Sequence, residues 1–285
     1  MNRLISFLLT VAIMLLISFE GNAQDEKKWF AIFGESEDID NTGYNRTDSR
    51  WELESEIQQR WKDGYDLLEI EYGEGHWYAL FGKSQDLRKT SFFGSTNLLE
   101  WETESREILG NGFIMLDIEF GDGLWYGVYA QSDEMEDCRI ARSRDINALQ
   151  RDIKNNWDDG YELLDIEYGE DQWYAVFARS KSHTNSGYNR IVDLWEMEYN
   201  ISQRWKDDYD LLEIEYGDGH WYAVFAKRDD ITGSAYNRTS DLIEMEYQIK
   251  QRWDENMDLL NIGWGGKRPR EVGTNSRVRG NRKRP

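Results

Sequence analysis

The chain has 285 residues, 55 acidic against 34 basic side chains and a net charge of −21. A body this acidic repels nucleic acid and anionic lipid, and a single cysteine, Cys138, cannot form an internal disulfide. The length allows one large domain or two ordinary ones.

Residues 1–23 read as a secretory signal peptide: a basic Met1-Asn2-Arg3, the apolar run LISFLLTVAIMLLI (4–17), and small residues at Gly21 and Ala23. Cleavage there would leave Gln24 first, and the protein would be secreted or periplasmic. The run is shorter than the roughly 20 residues a bilayer span needs, and no later segment could cross a membrane. "MEDCRIA" around Cys138 offers no setting for a catalytic thiol.

From 24 to 266 the chain repeats itself with a 48-residue period. Trp29, Trp77, Trp125, Trp173 and Trp221 form one column. Trp61, Trp157, Trp205 and Trp253 form another, with Leu109 in the missing place. Tyr72, Phe120, Tyr168, Tyr216 and Trp264 form a third. No insertion breaks the register.

Each unit begins with a helix. In VDLWEMEYNISQRWKDD (192–208), Met197, Ile201 and Trp205 recur every fourth residue, which draws one apolar stripe. Thr47 or Asp48, and Ser240 or Asp241, fit the N-cap. Gly64, Gly112 and Gly160, replaced by Asp208 and Asn256 in the last two units, fit the C-terminal stop. A hairpin follows, with Asp218-Gly219 suited to a type I′ turn. That turn sets Tyr216 opposite Trp221, Ile214 opposite Ala223 and Leu212 opposite Phe225, all on the face toward the helix.

The chain opens on a returning strand, WFAIF (29–33), and ends on an outgoing one, MDLLNIGWGG (257–266). Together they make one hairpin, with Trp29 facing Trp264, Ala31 facing Ile262 and Phe33 facing Leu260. The expected fold is therefore an α+β repeat protein: a closed, pseudo-fivefold, propeller-like ring of helix plus β-hairpin units, the N-terminal strand completing the last. An open solenoid would want polar end caps, which are missing. A domain-swapped dimer satisfies the same pattern, though a monomer is the simpler expectation. The tail 267–285 carries eight bases and one acid, a net of +7 that leaves −28 for the rest, and reads as disordered.

A helix ending in QRWKDGYDLLEIEYG (59–73), then DGHWYAVFAK (218–227), then SGYNR (186–190), resembles a tandem-repeat domain of unknown function. It occurs in bacterial secreted and multidomain proteins and at the C-termini of plant casein-kinase-1-like kinases. The resemblance covers about 29–265 and implies a repeat architecture. It brings no catalytic residue, and no kinase motif is present.

Three features could carry chemistry. Carboxylates at i,i+2 recur as Glu69/Glu71, Asp117/Glu119, Asp165/Glu167 and Glu213/Glu215, with Asn261/Gly263 breaking the pattern. A hydrolase needs two such groups in different environments, and four near-identical copies read instead as a solvated strand face. Calcium could use clustered carboxylates, but no dedicated loop appears. The second feature is Tyr-Asn-Arg at Tyr44-Asn45-Arg46, Tyr188-Asn189-Arg190 and Tyr236-Asn237-Arg238, placed in the loop before each helix. An aromatic ring beside an amide and a guanidinium suits a sugar, and pairing with a neighbouring unit's acids suits the same residues. The third is the set of 13 tryptophans: the two main columns read as core, and Trp51, Trp101 and Trp195 as freer. His76, His183 and His220 form no metal pattern. The expected function is a secreted, non-enzymatic binding module, multivalent for a glycan. A protein-interaction scaffold of the cell envelope is the alternative, and a carboxylate-dependent hydrolase a distant third.

Overall fold

A computed structural model describes residues 27–266, so the expectations for the signal peptide and the basic tail lie outside the described residues. The period appears as five helices and fifteen strands among those residues. In chain order they are β1 (Lys28–Ser36), β2 (Ile39–Thr47), α1 (Arg50–Lys62), β3 (Asp66–Gly73) and β4 (His76–Ser84). Next come β5 (Leu87–Ser95), α2 (Leu98–Gly110), β6 (Ile114–Gly121) and β7 (Leu124–Ser132). Then follow β8 (Met135–Ser143), α3 (Ile146–Asp158), β9 (Glu162–Gly169) and β10 (Gln172–Ser180). The next set is β11 (His183–Ile191), α4 (Leu194–Lys206), β12 (Asp210–Gly217) and β13 (His220–Arg228). The last is β14 (Ile231–Thr239), α5 (Leu242–Asp254) and β15 (Asp258–Gly265).

These strands make five antiparallel three-stranded sheets, ordered β2-β4-β3, β5-β7-β6, β8-β10-β9, β11-β13-β12 and β14-β1-β15. Each unit is thus a helix with three strands, where the sequence pointed to a helix with two. The extra strand holds the Tyr-Asn-Arg residues and reads as a loop because Asn, Gly, Ser and Thr crowd it. Its pairing breaks at a bulge, as between Asp40 and Gly43. Asn41, Asp137, Asn185 and Gly233 take φ of 53°, 52°, 54° and 66° there, a region that Asn, Asp and Gly tolerate best.

The first strand lies where the sequence put it. β1 is the central strand of the fifth sheet, between β14 and β15, with Trp29 opposite Trp264 and Ala31 opposite Ile262. The third expected pair shifts by one residue: Phe33 meets Leu259, and Phe225 meets Leu211. A bulge at Leu260, and at Leu212, absorbs the extra residue. The hairpin turns match the type I′ requirement, with φ of 44° at Asp218 and 78° at Gly219. Asp241 caps α5 as expected, accepting from the Glu244 N–H, whereas the cap of α1 is Ser49 rather than Thr47 or Asp48.

The core consists of five clusters, each shared by two units. One holds Leu149 and Ile153 of α3, Leu163 and Ile166 of β9 and Trp173 of β10, closed by Tyr222 and Val224 of β13. Another joins Met245, Ile249 and Leu259 of the fifth unit to Tyr78 and Leu80 of the first. The face opposite the helix is buried too: its central-strand residues pack against the preceding unit. Trp101, expected to be free, sits on the stripe position of α2 and is 0 % exposed, packed on Trp125 and Tyr174. Trp51 and Trp195 are exposed, at 76 % and 71 %.

A glycine column locks neighbouring units together. Gly121 seats Tyr72, Gly169 seats Phe120, Gly217 seats Tyr168, Gly265 seats Tyr216 and Gly73 seats Trp264; a Cβ at any of them would overlap that side chain. Gly169→Ala is expected to cost about 1–3 kcal/mol through forced repacking, read by urea unfolding. Gly112→Ala, at a positive φ of 83° with nothing within 4 Å, is the control that strains the backbone without touching a neighbour.

Candidate functional site: a cavity floored by carboxylates

The innermost strands touch in succession: β3 with β6, β6 with β9, β9 with β12, β12 with β15, and β15 with β3. They are edge strands, so one row of backbone N–H groups has no partner within its own sheet. The repeated acids supply the acceptors. Ile70 N–H donates to Asp117 Oδ2 (3.0 Å), Ile118 N–H to Asp165 Oδ2 (2.9 Å) and Ile262 N–H to Glu69 Oε1 (2.9 Å). One step along the strands, Tyr72 N–H donates to Glu119 Oε1 (3.2 Å) and Phe120 N–H to Glu167 Oε1 (3.1 Å).

These acids are thus not a solvated face. Glu69, Asp117, Glu119, Asp165 and Glu167 are buried. Alternation along one strand marks a face as polar, but five such faces turned toward one another leave little room for water. Burial first, and neighbouring carboxylates second, push Glu69, Asp117 and Glu213 well above the ordinary carboxylate range. Burial raises Asp165 to about 7 and Glu215 to about 8.

Above the first acid tier lies a cavity of about 220 Å³ lined from all five units. Its floor is Glu69, Asp117, Asp165, Glu213 and Asn261. Its wall is a leucine collar of Leu68, Leu116, Leu164, Leu212 and Leu260. Consecutive residues can both line the cavity because the strand bulges there, between Leu67 and Glu69 for instance. The mouth is formed by the turns that link one sheet to the next, with Asp38, Asp86, Glu134 and Asp230 alternating with Ile39, Leu87, Met135 and His183. The turns bond to one another: Gln85 N–H donates to the Asp38 carbonyl, Lys181 N–H to that of Glu134 and Glu37 N–H to that of Asp230. Arg228 pairs with Asp230 at the mouth. Burial, then the Arg228 charge, lowers His183 to about 3, so its ring is neutral.

Two polar facts single out the fifth unit. Asn261 replaces the acid of the floor, and its Nδ2 donates to Glu213 Oε2. Its Oδ1 has no partner, although the residue is 6 % exposed.

The Tyr-Asn-Arg residues lie apart from this cavity, on β2, β11 and β14. Tyr44, Tyr188 and Tyr236 pack into the inter-unit clusters. Asn45, Asn189 and Asn237 accept through Oδ1 from the Nε of Arg60, Arg204 and Arg252 at distances of 2.7, 3.2 and 2.8 Å. Arg46 pairs with Glu246 and Arg238 with Glu198, each at 2.8 Å on the preceding unit's helix, and Arg190 meets His220 at 3.4 Å. Cys138 stands in the column of Thr42, Thr90, Ser186 and Ser234 and does their work, its Sγ accepting from Met115 N–H at 3.4 Å. Burial pushes its thiol up to about 12, far from nucleophilic use.

The sequence marked the acid columns but not their convergence. The usable signal was the break at Asn261 and Gly263, because a merely solvated face has no need for the four other units to agree. Among the described residues no group of three or more His, Cys, Asp or Glu could hold a metal ion, and no helix is long and apolar enough to cross a membrane. Compared with known proteins, the chain matches no family model, no curated protein and no solved structure.

Proposed function

We propose that residues 27–266 close into a five-unit, propeller-like ring and act as an exported, non-enzymatic binding module whose ligand enters the axial cavity. Closure is supported by four contacts between the two ends of the described chain: the β1–β15 pairing, Ile262 N–H on Glu69, Trp264 over Gly73, and Glu37 N–H on the Asp230 carbonyl. With β1 supplied by the same chain, the ring needs no second copy, and the protein is a monomer. The leader-like 1–23 supports a secreted or periplasmic location.

The observation that carries the reading is the cavity itself, because all five units contribute the same two adjacent positions to it, Leu68 and Glu69 in the first. Such a site forms only when all five units are present, and it is one site rather than five. Catalysis draws less support. The acids are tied to backbone N–H groups in repeated copies, whereas acid–base chemistry wants two carboxylates set apart by their surroundings. A glycan platform on the Tyr-Asn-Arg strands also draws less, since those side chains already serve one another and the helices.

The test is a thermal-shift screen of small molecules on the wild type and on Leu164→Trp, which fills the collar, with Leu212→Trp as an independent block. Ligands that raise the wild-type Tm and leave both variants unmoved are expected. Ligands that stabilise all three proteins alike, or glycan binding indifferent to both substitutions, would overturn the axial site.

A further inference from the structure

The layers of the cavity, resting on the reading that it binds a ligand, narrow the ligand's chemistry. We propose that the axial site takes a linear aliphatic primary amine, its ammonium group on the carboxylate floor and its chain through the leucine collar, and that a second ammonium at the far end meets the acidic mouth.

The order of the layers follows from the strand register. Asp66 at the start of β3 pairs opposite Gly82 and accepts from Ser84 N–H (3.2 Å), so the sheet-linking turns lie at the Leu68 end. Passing inward, a ligand meets acids at the mouth, then the apolar collar, then acids and Asn261. Charge, apolar chain, charge is the pattern of an α,ω-diamine. The floor alone would not make a site, because acids can neutralise one another by holding protons. Asn261 Oδ1 is the independent observation: a buried acceptor for which the structure shows no donor, on a residue that lines the cavity floor. An ammonium N–H supplies it, and a primary ammonium has two more for the flanking carboxylates.

Other ligand classes fit worse. An anion meets Asp38, Asp86 and Glu134 at the mouth, where Arg228 is already paired with Asp230. A neutral apolar molecule leaves Asn261 Oδ1 unpaired. A quaternary ammonium has no N–H to offer and wants an aromatic cage, and no Phe, Tyr or Trp lines the cavity. A bare divalent ion makes no use of the collar.

The experiment is calorimetric titration of residues 24–285 with four probes of matched size: 1,6-diaminohexane, hexylamine, hexanol and tetramethylammonium. The diamine should bind tightest, hexylamine next, and the other two at least tenfold more weakly. In a series of n-alkylamines each added methylene should tighten binding about fourfold until the collar is spanned. Asn261→Leu should weaken hexylamine at least tenfold, and Leu164→Trp should abolish it. Hexanol binding as tightly as hexylamine would overturn the amine while leaving an axial ligand site standing. A failure of every probe, alongside library hits that Leu164→Trp blocks, would also overturn the amine alone. Amine binding indifferent to Leu164→Trp would remove both readings.

Discussion

Trp29→Ala is expected to destabilise the protein by about 3–5 kcal/mol, as much as Trp125→Ala in the middle of the chain. Trp29 is 0 % exposed, with its ring 4.6 Å from Trp264 and 5.1 Å from Tyr78 between centroids. All three belong to the junction of the fifth and first units. Residues near a chain terminus usually fray, and a tryptophan there ordinarily costs little to remove. The equality of the two losses thus follows from the docking of β1 between β14 and β15, and urea unfolding with two-state analysis measures it. A loss below about 1 kcal/mol for Trp29→Ala beside a full loss for Trp125→Ala would mean that β1 is not docked in solution. A chain lacking residues 27–36 would expose the facing edges of β14 and β15 and is expected to self-associate through them.

The same residues show how much of the fold was legible. The Trp29–Trp264 and Ala31–Ile262 pairs could be read from the 48-residue period alone, because a strict repeat turns position in the chain into position in space. The Asp-Gly turns and the C-terminal glycines could be read because positive φ selects few residues. Two things were illegible. The outer strands are polar and bulged, so composition argued for loops although the central strands supply their hydrogen bonds. The acids were illegible because a column of Glu and Asp looks alike on a solvated surface and on an axis. What separates the two is whether the five copies converge, and no single unit contains that information. Gly121 and Gly169 carried a partial hint: φ is ordinary at both, so only a neighbour's Tyr72 or Phe120 explains them.

The axial acids should also give the protein an unusual dependence on pH: stability falling as pH rises from about 5 to 9, by several kcal/mol. In the unfolded chain these carboxyls ionise near pH 4. In the fold, burial and mutual repulsion hold them higher, with Asp165 at about 7 and Glu215 at about 8, and Glu69, Asp117, Glu167 and Glu213 shifted the same way. Between those limits the folded state binds more protons than the unfolded one, so the unfolding free energy decreases with pH. The contribution is complete below the unfolded pKa and lost as pH climbs through the folded values. His183, lowered to about 3 in the fold, slopes the other way below about pH 6.5, one group against the several raised carboxyls, so the fall is steepest above that pH. Repulsion among the exposed acids slopes the same way as the raised carboxyls, but salt screens it, whereas buried charges feel salt little. The expected result is a slope that survives 0.5 M salt (roughly three times physiological ionic strength) and flattens in Asp165→Asn with Glu215→Gln, both of which keep an acceptor oxygen for the strand N–H groups. Stability that instead climbs from pH 5 to 8, or a slope the double substitution leaves intact, would show that the axis holds ionised, well-compensated carboxylates. An ammonium ligand should act in the same direction as the substitutions, since a cation on the floor favours the ionised acids. Saturating amine is therefore expected to flatten the pH slope and to release protons on binding, which ties the energetics of these acids to the ligand they are proposed to hold.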